Sequence, residues 1–404
     1  MIARLTPRPL QGKIAALGSK SQAHRLLICA AMAAGPTRIV CGRTGQDVEA
    51  TVRCLRALGA GIEYDGAAYI VNPIAEPRQN ALLDAGESGS TLRFLLPLVC
   101  AMGVKATFRL HGRLAQRPME PLWSELLRRG AKLERGDNEI RTGGKLTGDE
   151  FSLAANISSQ FLSGVLFALA VLGGGRLRLE TELESANYLD MTCDALRRFG
   201  AEIERVENDI IFAPGTLRSP GELIVEGDWS NAAFWLCAGR LGENALTVTG
   251  LDPASRQGDR IAPAWIDAVC TGNAVIDCAQ IPDLVPPLAA LAAFCPGRTA
   301  FIGAARLRLK ESDRIESTVQ MLKNLGARAG ALPDGLWVEG QKRLPGGTVD
   351  SAGDHRIAMA AAIAATACAG SVKVRGAQAT EKSYADFWKD YVNLGGYVTW
   401  EEEP

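Results

Sequence analysis

Arg53-Cys54-Leu55-Arg56-Ala57-Leu58-Gly59-Ala60-Gly61-Ile62-Glu63 reads as the end of a helix, a glycine turn and the start of a strand. Glycine just past a helix suits the left-handed conformation that closes the last turn. A single segment of this kind is ordinary α/β punctuation, but this chain carries it repeatedly. Leu126-Leu127-Arg128-Arg129-Gly130-Ala131-Lys132-Leu133 repeats it, as does Leu196-Arg197-Arg198-Phe199-Gly200-Ala201-Glu202-Ile203. So do Met321-Leu322-Lys323-Asn324-Leu325-Gly326-Ala327 and Tyr391-Val392-Asn393-Leu394-Gly395-Gly396-Tyr397-Val398, with a degenerate copy at Ala268-Val269-Cys270-Thr271-Gly272-Asn273-Ala274-Val275. The turn glycines Gly59, Gly130, Gly200, Gly272, Gly326 and Gly395 are about 70 residues apart, with one shorter gap. Units of this length are too long for solenoid repeats and can each hold two helices and several strands. Six of them predict two similar halves of about 200 residues, each closing three units around a core. The change of texture at Val225-Glu226-Gly227-Asp228-Trp229-Ser230 sets the boundary between the halves.

The 404 residues balance 44 Lys and Arg against 45 Asp and Glu, for a net charge of −1, and 47% are hydrophobic. That composition supports a sizeable core and argues against disorder and against a chain-wide attraction for nucleic acid. Ten cysteines stand singly, without CxxC spacing, and there are only three histidines. They read as buried free thiols in a reducing compartment, not as a disulfide scaffold or a metal site. No apolar run reaches the ~18–20 residues of a membrane span, and Met1 to Leu10 lacks the apolar stretch of a secretory signal. The expectation is a soluble cytoplasmic protein.

Candidate chemistry lies where apolar helices begin. Gly18-Ser19-Lys20-Ser21-Gln22-Ala23-His24-Arg25 and Asp84-Ala85-Gly86-Glu87-Ser88-Gly89-Ser90-Thr91-Leu92-Arg93 each place small polar residues and a cation at such a start. Gln116-Arg117-Pro118, Lys310-Glu311-Ser312-Asp313-Arg314, Gly353-Asp354-His355-Arg356 and Glu381-Lys382-Ser383-Tyr384 follow suit, and Asn156-Ile157-Ser158-Ser159-Gln160 offers consecutive small donors without a cation. Helix N-termini carry partial positive charge, and arginine makes bidentate contacts with phosphate or carboxylate. Gathered in one cleft, these segments would bind a polyanion. Each alone has a plainer reading. Ser158 and Asp283, in Ile281-Pro282-Asp283-Leu284, read as helix caps, and the Lys310–Arg314 run reads as a solvated face.

In this order the motifs resemble the 5-enolpyruvylshikimate-3-phosphate synthase family, also called 3-phosphoshikimate 1-carboxyvinyltransferases. The likeness extends from Gly12 to about Gly395. It implies a two-domain inside-out α/β barrel, each domain made of three βαβαββ repeats. Residues 18–227 would form the shikimate 3-phosphate side, and residues 1–17 plus 228–404 the phosphoenolpyruvate and catalytic side. The cleft would lie between the domains and close on ligands. The implied reaction moves the enolpyruvyl group of phosphoenolpyruvate to the 5-hydroxyl of shikimate 3-phosphate and releases phosphate. Neither metal nor organic cofactor is implied, and a monomer is expected, without nucleic-acid or membrane partners.

Carried over by position, Ser21, Arg25, Ser158, Ser159, Ser185, Tyr188, Asp283 and Lys310 correspond to contacts of shikimate 3-phosphate. Lys20 and Gln160 stand between the two substrates. Gly89, Arg117, Arg314, Arg356 and Lys382 correspond to phosphoenolpyruvate contacts. Asp283, Glu311, Lys382 and Lys20 are the implied catalytic groups, the first three as candidates for proton transfer. Two positions depart from the family pattern, since Glu87 and Arg306 each stand where asparagine is common. The related transferase acting on UDP-N-acetylglucosamine is disfavoured, because His111 to Met119 contains no cysteine.

Overall fold

Each of the six turn glycines adopts a positive φ, between +86° and +118°, in a computed structural model describing residues 1–42 and 44–402. An L-residue with a side chain would be strained there, which explains why glycine recurs at this one point of every unit.

The chain divides into two compact units, Gly18–Glu226 and Met1–Leu17 together with Gly227–Pro404. In the first, the second repeat shows the plan in full. Strand Ala81–Asp84 leads to helix Gly89–Met102, strand Ala106–Arg109, helix Leu122–Arg128 and the hairpin Ala131–Arg135 with Glu139–Gly144. The first two strands pair in parallel, Leu83 opposite Phe108, and the hairpin adds antiparallel to the second strand, Phe108 opposite Ile140. The third repeat, from Glu150–Leu153 to Asp209–Phe212, has the same strand order. The first repeat takes its opening strand from the far end of the unit, where Glu222–Ile224 runs parallel to Thr37–Val40.

Helices fill the centre and sheets lie outside. Of the fourteen residues of Gly89–Met102 all but Ser90 and Met102 are buried, and helix Ser159–Leu172 is as deeply enclosed through Leu169. These helices are apolar on every face, as a central helix must be. The strands alternate buried and exposed residues, so each sheet has one wet face.

In the second unit, helix Val285–Ala292 is wholly buried, as is His355–Ala365. The chain start completes two of its repeats. Ile2–Thr6 inserts between Val372–Arg375 and Tyr397–Glu401, antiparallel to both, and Gln11–Ala15 pairs in parallel with Ala245–Thr249. That last sheet has two strands instead of four. The strand after Gly272, Val275–Asp277, opens the next repeat by pairing with Arg298–Ile302. The fourth copy therefore lacks its hairpin, which accounts for the shorter glycine gap. The two units have separate apolar cores, one around Leu26, Phe94 and Phe167, the other around Phe234, Leu288 and Ile363. All ten cysteines are free thiols, and only Cys270 is partly exposed. Among the described residues no helix is long and apolar enough to cross a membrane.

Candidate active site

In the first unit the starts of the three central helices are tied together by side chains. Lys20 opens helix Lys20–Met32 and reaches Asp47 Oδ2 at 2.9 Å. Arg25, one turn further on and 2% exposed, donates to Ser21 O, Tyr188 O and Thr192 Oγ1 at 2.5, 2.8 and 2.7 Å. Its guanidinium also lies over the Phe94 ring, 4.9 Å from the centroid. Burial lowers its pKa to about 10, so it stays charged at neutral pH. Ser158 caps helix Ser159–Leu172 by accepting from Gln160 N at 3.3 Å. Ser185, before helix Ala186–Arg198, holds a left-handed conformation (φ +54°) without a glycine's freedom, a strained backbone of the kind found at ligand sites.

A second group in this unit surrounds Gly89, the first residue of its helix. A Cβ at Gly89 would stand 2.8 Å from Arg117 Nη1, 3.6 Å from Arg93 Nη1 and 3.7 Å from Gln160 Oε1. Arg93 donates to Gln160 Oε1 at 2.7 Å, and Gln160 Nε2 donates to Ser90 Oγ at 2.9 Å. The amide is thereby oriented from both ends. Glu87 turns its carboxylate against Gly112, where a Cβ would meet it at 2.6 Å.

In the second unit Arg314 is the hub. It is 1% exposed and bonds to three carboxylates. Its Nε and Nη2 grip Asp354 at 2.9 and 3.2 Å, Nη1 donates to Asp283 Oδ1 at 2.9 Å, and Nη2 also donates to Glu311 at 2.6 Å. Burial opposes its charge, but Asp354, Glu311 and Asp283 outweigh burial and raise its pKa. Arg356 Nη1 donates to Asp283 O at 3.1 Å and Nη2 to Ser230 Oγ at 2.7 Å, with Asp283 Oδ2 3.3 Å from Nη2. Lys310 Nζ is 3.7 Å from Asp283 Oδ1. Burial alone would push the Asp283 carboxyl up; Arg356, Lys310 and Arg314 outweigh it and hold the group well below the usual carboxylate range. Lys382 Nζ donates to Gly353 O at 2.7 Å, and Arg306 Nη2 to Ala279 O at 2.6 Å.

Two plain readings of the sequence fail here. Asp283 is not a helix cap; it lies in the 3-10 turn Pro282–Leu284 and is paired with cations. The Lys310–Arg314 run is not a solvated face, since Ser312 and Arg314 are buried. Ser158 does cap its helix. Four further residues were not singled out from the sequence: Arg93, which orients Gln160; Asp354, which accepts from Arg314 and caps helix His355–Ala365; and Ser230 with Asp259 beside Arg356. Arg93 and Asp354 stood inside quoted motifs, whereas nothing in the pattern around Asp259 marks it. Among the described residues no group of three or more His, Cys, Asp and Glu could hold a metal ion.

Two clusters rich in arginine, lysine and helix N-termini stand on an α/β fold of buried helices within outer sheets, an arrangement whose chemistry suits small polyanions. An EPSP synthase from Acinetobacter baumannii superposes with a TM-score of 0.79 over 99% of this chain and 100% of that one, at 24% identity. The enolpyruvyl transferase NikO from Streptomyces tendae gives 0.77 over 100% and 99%, at 22% identity. The fold is that of the enolpyruvyl transferases.

The family model described as EPSP synthase (3-phosphoshikimate 1-carboxyvinyltransferase) matches residues 5–391. The 3-phosphoshikimate 1-carboxyvinyltransferase of Clostridium novyi is 37% identical, with 98% of both chains covered. That of Clostridium acetobutylicum is 38% identical over 98% of this chain and 97% of its own. The chain belongs to the EPSP synthase family.

Proposed function

We propose that this protein transfers the enolpyruvyl group of phosphoenolpyruvate to the 5-hydroxyl of shikimate 3-phosphate and releases phosphate, a step toward chorismate and the aromatic amino acids. The observation that carries this reading is the family match across nearly the whole chain, supported by the ion pairs of Asp283 with Arg314 and Arg356, residue types suited to proton transfer and anion binding. In this reading Gly18–Glu226 supplies the shikimate 3-phosphate contacts Ser21, Arg25, Ser158, Ser159, Ser185 and Tyr188, with Lys20 and Gln160 shared between substrates. It also supplies Gly89 and Arg117 toward phosphoenolpyruvate. The other unit supplies Asp283 and Lys310 for the acceptor, and Arg314, Arg356 and Lys382 for phosphoenolpyruvate. The protein works as a cytoplasmic monomer with these two small molecules as its partners.

Chemistry assigns the roles. The attacking hydroxyl must lose a proton, the methylene carbon must gain one, and one must leave again as phosphate departs and the double bond returns. Asp283 is the acceptor for the hydroxyl proton; Glu311 and Lys382 serve the carbon. With its cations in place Asp283 is too weak a base. When anionic substrate groups take up Arg356 and Lys310, the Coulombic hold on Asp283 relaxes and its proton affinity rises. The arginines align carboxylate and phosphate and stabilise charge on the departing phosphate.

A phosphate-release assay tests the reading. Turnover should require both phosphoenolpyruvate and shikimate 3-phosphate. Release without the acceptor, or driven by UDP-N-acetylglucosamine, sinks it. Asp283→Asn and Lys20→Met should each lower kcat by about 100-fold or more, with far-UV circular dichroism unchanged; near-normal rates would remove those roles.

A further inference from the structure

Two thiols lie side by side in the Gly227–Pro404 unit. Cys270, in the last turn of helix Ala262–Thr271, is the one partly exposed cysteine of the ten, and Cys295 is buried just past helix Val285–Ala292. Cys295 Sγ donates to Cys270 Sγ at 3.9 Å, across a separation of 25 residues. Buried cysteine is ordinarily a small apolar side chain. Cys270 departs from that use, because solvent reaches it and a second thiol touches it.

The chain around the pair is already aligned. Beyond the thiols the two stretches run side by side at the same offset of 25 residues, with Arg298 N donating to Asn273 Oδ1 at 3.1 Å. Val275 then pairs with Ala300 in the parallel strands that follow. Between the thiols and the strands the stretches pack closely. A Cβ on Gly272 would stand 2.6 Å from Pro296 O, and one on Gly297 2.7 Å from Asn273 Oδ1. Neighbouring strands lie ~4.8 Å apart, inside the ~4.4–6.8 Å range of Cα separations that a disulfide spans. The thiol pair extends the same offset past the strand ends, so closing it to a bond calls for side-chain rotation and little backbone movement. Burial, with Cys270 beside it, pushes the Cys295 thiol up to about 12, so Cys295 stays protonated until Cys270 is activated.

We propose that Cys270 and Cys295 are a redox-responsive pair that closes to a disulfide by exchange with a small disulfide such as oxidised glutathione. The Cys270 sulfur attacks the small disulfide, a mixed disulfide forms, and one glutathione thiol leaves with the Cys270 proton. The Cys295 sulfur then attacks the Cys270 sulfur, the mixed disulfide breaks, and the second glutathione thiol leaves with the Cys295 proton. Two protein thiols are oxidised and one glutathione disulfide is reduced. The new bond encloses the stretch from Thr271 to Phe294, which includes Asp283, so oxidation ties together both ends of the segment that carries that carboxylate.

The test uses the full chain as wild type, Cys270→Ser and Cys295→Ala, each incubated with oxidised glutathione in the absence of denaturant. The products are then alkylated in denaturant, digested without reduction and mapped by mass spectrometry. In wild type the peptides holding Cys270 and Cys295 should appear joined, with the other eight cysteines alkylated. Cys295→Ala should stop at a glutathione adduct on Cys270, and Cys270→Ser should carry no adduct at Cys295. Amide hydrogen exchange in peptides between the two cysteines should slow by about tenfold or more in oxidised wild type, as closure of a covalent loop requires, and not in the variants. An adduct that persists on Cys270 of the wild type, an unmodified Cys270, a bond to another cysteine, or unchanged exchange in the joined form would each overturn the proposal. None of these readouts depends on turnover, so they decide the pair separately from the reaction.

Discussion

Buried ionisable side chains carry most of the information at the scale of single residues. Arg314 with its three carboxylates was legible as a charged run, but its burial was not, because adjacent charges read the same whether solvated or enclosed. Asp283 likewise shows no local sign of its cationic partners. His24 is a simpler case. It is fully buried, its Nδ1 is 2.8 Å from Thr51 Oγ1, and its Nε2 has no hydrogen-bond partner. Burial, with Lys20 and Arg25 nearby, lowers its pKa well below the ordinary value. The fold thus favours the neutral ring, and as pH falls the unfolded chain takes up the proton first. His24 therefore contributes stability that is present above about pH 6.5 and lost below it, at up to about 1.4 kcal/mol per pH unit. His24→Gln should flatten that part of the slope. Urea midpoints measured from pH 7.5 to 5 would check this, and parallel slopes for wild type and variant would refute it.

At the scale of elements, the recurrent helix, glycine and strand were readable because each depends on neighbours in sequence. Which strand completes which sheet was not. The chain start is the clearest instance: among the described residues Ile2–Thr6 is the sole strand partner of Tyr397–Glu401, and it inserts Ala3 and Leu5 into the core of its unit. A chain lacking residues 1–6 would leave the Tyr397–Glu401 backbone unpaired and Val374 uncovered on that side. We expect this truncation to abolish cooperative unfolding of the Gly227–Pro404 unit while Gly18–Glu226 still melts cooperatively. Amide hydrogen exchange resolved by peptide measures both at once, and full protection across Val372–Arg375 in the truncated chain would contradict it.

For the whole molecule, two separate cores and chain crossings only at 17/18 and 226/227 make the first unit a candidate for independent folding. Residues 18–226 expressed alone should give a single cooperative urea transition and native-like circular dichroism. A fragment without a transition would show that its stability depends on the rest of the chain. The sequence by itself determined the number of units, the glycine turns, the apolar central helices and the motifs that mark the family, since these rest on spacing within a few turns of chain. Only the tertiary structure decided that the fourth unit lacks its hairpin, that the chain start closes the last sheet, and that Asp283 meets Arg314 and Arg356. Those groups lie 31 and 73 residues apart along the chain. Sheet register and helix packing bring them within hydrogen-bonding distance, and neither is written in the residues next to them.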